Sequence, residues 1–298
     1  MSRKYRIFQA DAFTDRQFTG NPACVVLDAH SLSELEMRAI AREMNKGDTA
    51  FVLPPASADE DLRVRFFSPR KEMPFVGHAT LATHAVLALD APRALRRQGG
   101  ATGTVEVTTL PDGSGFAIRQ DAPRLGGNIE GGVLDEVMDL LGLSRRQLDP
   151  ELPARIAGGA STRLLLPLRD VAALDGIQPR LPALAALSPR IGAQGYFPFV
   201  LTAGEPQPQT ESRMFCPALG IDEDPVSGNA HGMLGVYLLE QRRITARNGV
   251  AQFTGLQGRH MERNGRVAVT VETGAEGQAR AVTIAGQAVV VFESTLSL

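Results

Sequence analysis

Alternating and short continuous apolar runs predict a strand-rich first half. Tyr5, Ile7 and Phe8, then Cys24 to Leu27, predict strands over 4–13 and 23–29, joined by the turn composition Phe18-Thr19-Gly20-Asn21-Pro22. Ser33 and Glu36 have the spacing of a capping box, and Met37, Ile40, Ala41 and Met44 follow at helical period. Asn45-Lys46-Gly47 ends that helix. Asp48-Thr49 then opens an apolar strand, Ala50 to Leu53, closed by Pro54-Pro55. A strand over 62–68 follows, then a helix over 78–89 that is apolar nearly all round and so predicted to be buried. Residues 103–110 and 115–120 pattern as a hairpin about Pro111-Asp112-Gly113.

The second half restarts with an amphipathic helix on Leu134, Val137, Met138 and Leu141, with Gly142 placed to cap it. Strands are expected at 162–168, 196–202, 212–216, 249–254, 266–273 and 280–293, with a short helix and loops over 171–192. A second buried helix, His231 to Leu239, follows Asp224-Pro225-Val226-Ser227-Gly228-Asn229-Ala230. Asp121-Ala122-Pro123 and the pairs Gly126-Gly127 and Gly131-Gly132 form the best linker candidate.

The halves repeat one another. Arg65-Phe66-Phe67-Ser68-Pro69 resembles Arg213-Met214-Phe215-Cys216-Pro217, and Pro74-x-x-Gly77-His78-Ala79 resembles Pro225-x-x-Gly228-Asn229-Ala230. A weaker third block sets Gly47 to Pro54 against Ala160 to Pro167, which aligns Asp48 with Ser161. Blocks in the same order indicate duplication, and a duplicated α/β domain predicts a cleft between its halves. The expected domains are 1–120, completed by the C-terminal strand 284–298, and 121–283.

Bulk properties narrow the function. A length of 298 residues suits two domains, and 43% hydrophobic with 21% charged residues is ordinary for a globular protein. A net charge of −2 gives no field for nucleic acid or an acidic membrane surface. Three lysines among 31 basic residues leave scattered arginines, a matter of coding bias rather than phosphate binding. Two cysteines, Cys24 and Cys216, fit a reducing compartment. Met1-Ser2-Arg3-Lys4-Tyr5 lacks an apolar signal core and no run approaches a membrane span, so a cytoplasmic protein is expected.

Both buried helices begin by aiming free backbone N–H groups forward, which suits an anion. Asp48 at a strand entry is a candidate proton-moving carboxylate, weighed against an ordinary turn aspartate. His78, just after Gly77, is expected to be neutral at a helix N-terminus and able to donate to a substrate or relay a proton. His84 points elsewhere and reads as packing, while His231 stays open. Asp224 can be a helix cap. Asn229 is a mediocre interior helix residue whose amide suits a carboxylate or enol oxygen. Glycine-rich nucleotide motifs, metal-ligand spacing and a Gly-x-Ser-x-Gly elbow do not occur, so neither a metal nor an organic cofactor is expected.

Phe18-Thr19-Gly20-Asn21-Pro22-Ala23, Asp48-Thr49-Ala50-Phe51-Val52, Pro74-Phe75-Val76-Gly77-His78-Ala79-Thr80 and Glu223 to Ala230 resemble the phenazine-biosynthesis PhzF-like family, of diaminopimelate-epimerase-like fold. The resemblance implies an α+β architecture of two pseudo-symmetric domains, each a curved, mostly antiparallel sheet around a central helix. It further implies a site between the domains, a homodimer and cofactor-free isomerisation, best known on trans-2,3-dihydro-3-hydroxyanthranilate. By position Asp48 takes the acid/base place, usually a glutamate, and Asn229 a place usually held by serine. Asn21, Gly77, His78, Asp224 and Gly228 are carried over as substrate-binding. Gln257-Gly258-Arg259 resembles a compressed form of the family's Gln-Gly…Gly-Arg segment. The expected function is a cofactor-independent isomerase of a small cyclic or amino-acid-like carboxylate. The alternatives are a racemase or epimerase using two thiols, and a member that binds a metabolite without catalysis.

Overall fold

A computed structural model describes residues 3–159, 161–203 and 209–298. Met1 and Ser2 at the polar start, and Ala160 of the third repeat block, lie outside the described residues. Two units divide the chain, Met1–Gln120 with Ala285–Leu298, and Asp121–Ile284.

In the first unit, alternation along β1 (Lys4–Ala12) sends Phe8 and Ala10 to one face of a sheet and Tyr5 and Ile7 to the other. Then come β2 (Asn21–Val26), α1 (Glu34–Met44), β3 (Asp48–Leu53), β4 (Leu62–Phe67), β5 (Glu72–Met73), α2 (Gly77–Asp90), β6 (Leu95–Gly100), β7 (Gly103–Thr109) and β8 (Gly115–Asp121). The sheet runs β1-β2-β3-β4-β6-β7-β8, with β5 beside β4. Only β2–β3 and β4–β6 pair in parallel among the described pairings of this unit. Parallel neighbours require a crossover, and α1 and α2 are those crossovers. The capping box at Ser33 and Glu36 starts α1, which buries Met37, Ile40 and Ala41 against Tyr5, Ile7, Val26, Phe51 and Phe67. On the opposite face α2 buries Ala79, Ala82 and Val86 against Phe8, Val25, Ala50, Val64 and Phe66. With both faces of the sheet covered, α2 is the central helix.

The second unit holds β9 (Arg124–Asn128), α3 (Gly131–Leu140), β10 (Arg155–Gly158), β11 (Thr162–Pro167), α4 (Val171–Asp175), α5 (Leu181–Ile191), β12 (Gly195–Thr202), β13 (Gln209–Ser212), α6 (Gly228–Glu240), β14 (Val250–Gln257) and β15 (Gly265–Thr273). A last strand, β16 (Ala279–Ser297), serves the second unit through Ile284 and the first from Ala285, where it pairs with β1 from Lys4↔Ser297 to Ala12↔Ala288. Helices α3, α4 and α5 cover one face of the second sheet, packing on Leu164, Leu166, Tyr196 and Val200. Phe197 and Phe199 meet His231 and Tyr237 of α6 edge-on from the other. Gly235 brings α6 close to β14 and β15: a Cβ there would lie 2.9 Å from Val271 and 3.0 Å from Val269.

Each unit repeats one order of pairing. From β1 the sequence is antiparallel, parallel, antiparallel, parallel, antiparallel along β1-β2-β3-β4-β6-β7, and the same holds along β10-β11-β12-β13-β14-β15. This corrects the third repeat block. Thr49 pairs with Phe67, Tyr196 pairs with Phe215, and Phe67 and Phe215 are equivalent, so Asp48 corresponds to Gly195. Ala23 pairs with Asp48 and Arg163 with Gly195, which makes Ser161 the counterpart of Asn21 rather than of Asp48. The run Leu164-Leu165-Leu166-Pro167 imitates Phe51-Val52-Leu53-Pro54 in composition but occupies the place of β2.

Three further expectations change. The glycine-rich linker candidate contains β9, paired with β10. The strand placed at 212–216 ends at Ser212, and only the isolated bridge Tyr196↔Phe215 continues its line. β6, where the apolar pattern predicted no element, is a strand whose Gln98 is satisfied inside: it bonds His84 Nε2 at 3.1 Å and Thr80 Oγ1 at 3.3 Å.

A core test follows from Gly255, where a Cβ would collide with the His231 ring, buried under α6. Gly255→Ala is expected to cost about 1–3 kcal/mol by overpacking. Gly127→Ala, which meets nothing within 4 Å, is expected to stay within about 0.5 kcal/mol. Urea unfolding midpoints compare the two.

Candidate active site

The loop entering α2 is held from outside. Arg65 lies over the Phe67 ring, 5.1 Å from its centroid, and grips Glu72 through Nε and Nη2 at 2.7 and 2.8 Å. Arg213 does the same in the second unit, 4.9 Å from the Phe215 centroid and bound to Glu223 at 2.9 and 2.8 Å. Glu72 and Glu223 each stand two residues before the helix-start proline. The clamps therefore extend the repeat, and they align Met73 with Asp224.

In the first unit the site residues gather where β3 begins and α2 starts. Asp48 is the first residue of β3 and 8% exposed. His78 is the second residue of α2, and its Nε2 lies 3.8 Å from Asp48 Oδ2. A Cβ on Gly47 would lie 3.8 Å from that Nε2 and 3.9 Å from Asn21 Oδ1, so Asn21 borders the same space. No side chain caps α2 at Val76, and a Cβ on Gly77 would meet nothing within 4 Å. The leading N–H groups of a buried helix thus face open space beside a carboxylate.

The electrostatics follow from burial. Desolvation alone pushes the His78 imidazole down to about 4. At 3.8 Å the pair is too long for a hydrogen bond, and the ring is neutral at pH 7, so it is not an ion pair. Nε2 of His78 is buried and meets no partner among the described residues. A neutral imidazole beside a carboxylate, in front of a helix start, can hold or pass one proton.

The second unit brings Asp224, Gly228 and Asn229 to the head of α6. Ser227 Oγ accepts from Ala230 N–H, so this helix is capped where α2 is not. Gln257 ties the loop: its Oε1 accepts from Ser227 N–H at 3.0 Å and its Nε2 donates to Asp224 O at 2.6 Å. Gly258, at φ +94°, lets the chain pass the Pro225 carbonyl, where a Cβ would lie 2.8 Å away. Gly228 is buried and Asn229 exposed. His231 is a packing residue, with Nδ1 2.7 Å from Ser227 O and the ring filling the place of a Gly255 side chain.

Neither cysteine is poised as a base. Burial raises the Cys24 thiol to about 11 and the Cys216 thiol to about 12. Groups of three or more His, Cys, Asp or Glu arranged to hold a metal ion do not occur among the described residues.

A family model described as phenazine biosynthesis-like protein matches residues 10–294. The chain belongs to the phenazine biosynthesis-like PhzF family. Within this family it is 38% identical to the uncharacterized isomerase YddE of Escherichia coli O157:H7, over 98% of each chain. It is 32% identical to trans-2,3-dihydro-3-hydroxyanthranilate isomerase of Pseudomonas chlororaphis, over 78% of this chain and 80% of the relative. A PhzF-family crystal structure from Bacillus anthracis superposes with a TM-score of 0.88 at 28% identity, covering 99% of each chain. A hydroxyproline epimerase from Agrobacterium vitis shares the fold, with a TM-score of 0.64 at 11% identity over 99% of this chain and 92% of that one. The chain is an isomerase by family. No helix among the described residues is long and apolar enough to cross a membrane.

Sequence reasoning passed over Ser227, the cap of α6, and the buried Arg163 of β11, and met Gln257 only within the Gln257-Gly258-Arg259 resemblance. Ser227 was legible as a cap, since a serine preceded a helix start. Arg163 carried one signal, a charge inside an apolar strand.

Buried neutral histidines make acid stability a test. His78, His84 and His231 are each lowered from 6.5 to about 4, mainly by burial. On unfolding each gains a proton below about 6.5, so their contribution is full above that pH and falls as pH drops toward 4. Unfolding midpoints from pH 7.5 to 4.5 are expected to decline with a slope approaching three protons. A flat profile would contradict the buried neutral rings.

Proposed function

We propose that the chain isomerises a small cyclic or amino-acid-like carboxylate, with Asp48 as the proton-moving group. The observation that carries this reading is the buried Asp48–His78 pair at the uncapped head of α2, with the imidazole held neutral. Asp48 takes a proton from a substrate carbon, and the electrons of that C–H bond move into the adjoining π-system. Negative charge developing on a substrate oxygen or carboxylate is met by the α2 N–H groups and by the His78 ring. Asp48 then returns the proton to a different carbon, so the net change is a shift of one hydrogen and one double bond, with no oxidation. Asn21 and Gly77 belong to the same proposal as substrate-binding residues of the first unit. Asp224, Gly228 and Asn229 are the substrate-binding residues proposed at the head of α6 in the second unit.

Similarity to the Pseudomonas chlororaphis enzyme makes a dihydro-hydroxyanthranilate one candidate substrate. An aspartate is one methylene shorter than the usual glutamate, which favours a ligand seated deeper against β3. The thiol-based epimerase reading loses support because both thiols are buried and raised. A homodimer belongs to the same proposal, carried by the family resemblance, and light scattering measures its mass.

Incubation in heavy water with a panel of unsaturated cyclic carboxylates is expected to wash deuterium into one substrate. Asp48→Asn should slow that exchange by about 10²–10⁴-fold while leaving binding and fold intact. Full activity in Asp48→Asn would remove Asp48 from its role. Binding without exchange across the panel would favour a metabolite-binding protein.

A further inference from the structure

The second unit has no carboxylate where the first has Asp48; Gly195 stands there instead. The space of its missing side chain is taken by Cys216 Sγ and by Arg163, whose Cδ lies 2.9 Å from where a Cβ would be. Arg163 is 7% exposed. Its Nη1 donates to Ser161 Oγ at 2.9 Å and to Thr162 O at 2.8 Å. Its Nε is fully buried and has no hydrogen-bond partner, and neither Asp nor Glu forms an ion pair with the guanidinium among the described residues.

Arg163 differs from the two arginines that clamp the helix-entry loops. Arg65 and Arg213 each close their Nε and Nη2 edge on a glutamate. The same edge of Arg163 meets no carboxylate among the described residues. An arginine cannot discharge itself by losing a proton, and a buried cation without a counter-charge is unfavourable. The fork geometry of that edge matches a carboxylate. In the first unit the second helix residue, His78, lies 3.8 Å from the start of β3. The repeat gives that place to Asn229 in the second unit, an exposed polar amide.

We propose that Arg163 is the cation of an anion site in the second unit, and that the site takes the carboxylate of a small ligand. The site in the second unit does not depend on the isomerase reading. Arg163 is thereby a specificity-determining residue, one that separates acids from neutral isosteres.

Benzoate, with benzamide as neutral isostere, serves as the probe. Affinity is read by calorimetric titration and by the shift in melting temperature of the full chain. Benzoate is expected to bind wild type and Asp48→Asn alike, and to bind better than benzamide. Arg163→Met should weaken benzoate by about 10–100-fold, the loss of charge-assisted hydrogen bonds. Without ligand, Arg163→Met should melt no lower than wild type, since it replaces an uncompensated charge by apolar bulk. Arg163→Lys, which keeps the charge and loses the fork, should fold and bind benzoate with intermediate affinity; this variant decides the matter if Arg163→Met does not fold. Unchanged benzoate affinity in the variants, or equal binding of benzoate and benzamide by wild type, would overturn the site. A chain that binds through Arg163 yet exchanges no deuterium would overturn the isomerase reading alone.

Discussion

Desolvation of one imidazole governs the chemistry available to the first unit. His78 is packed at the head of a helix whose N-terminal dipole and burial both oppose a positive charge. A protonated ring would form an ion pair with Asp48 and occupy the carboxylate. A neutral ring leaves that carboxylate able to exchange a proton with a ligand. Everything around the pair maintains this condition: α2 is buried along Ala79 to Val86, its entry loop is clamped by Arg65 on Glu72, and β3 is flanked by β2 and β4.

Duplication supplied one scaffold, and substitution at equivalent positions gave its copies different chemistry. Asp48, Met73 and His78 in the first unit stand where the second has Gly195, Asp224 and Asn229. Each unit keeps one acidic side chain in this set, but at a different place in the repeat. The arginine clamps, the order of parallel and antiparallel pairing, and the helix starts are common to both. The shared features are those that pack and brace the fold, and the exchanged ones are those assigned to the proposed site. Beside β12, Arg163 and Cys216 fill the space that a side chain at Gly195 would take.

Much of this was legible in the sequence because it is local. The capping box of α1, the all-apolar helices α2 and α6, and the motifs around Gly77 and Gly228 depend on neighbours within a few residues. What failed was long-range. β6 was hidden because Arg96 and Gln98 look like loop residues, and only the buried partners His84 and Thr80 explain a glutamine in a strand. The third repeat block was misaligned because an apolar run ending in proline occurs on two different strands, and strand register is not written in composition. The motifs named Asn21, Asp48, Gly77 and His78 separately. Their convergence within about one side chain's reach of Gly47 needed the parallel pairing of β2 with β3, which no local pattern encodes. Arg163 is legible only as a charge among leucines until Gly195 is known to lie beside it.

The protonation state of His78 tests the account most directly. Nitrogen-15 NMR of ring-labelled protein, with His78→Asn used to assign the signal, reads it from pH 8 to 4.5. The account predicts nitrogen shifts of a neutral imidazole across nearly the whole range, with protonation beginning only toward its lower end. A ring that becomes doubly protonated near pH 6.5 or above would show an ion pair with Asp48 and contradict the account.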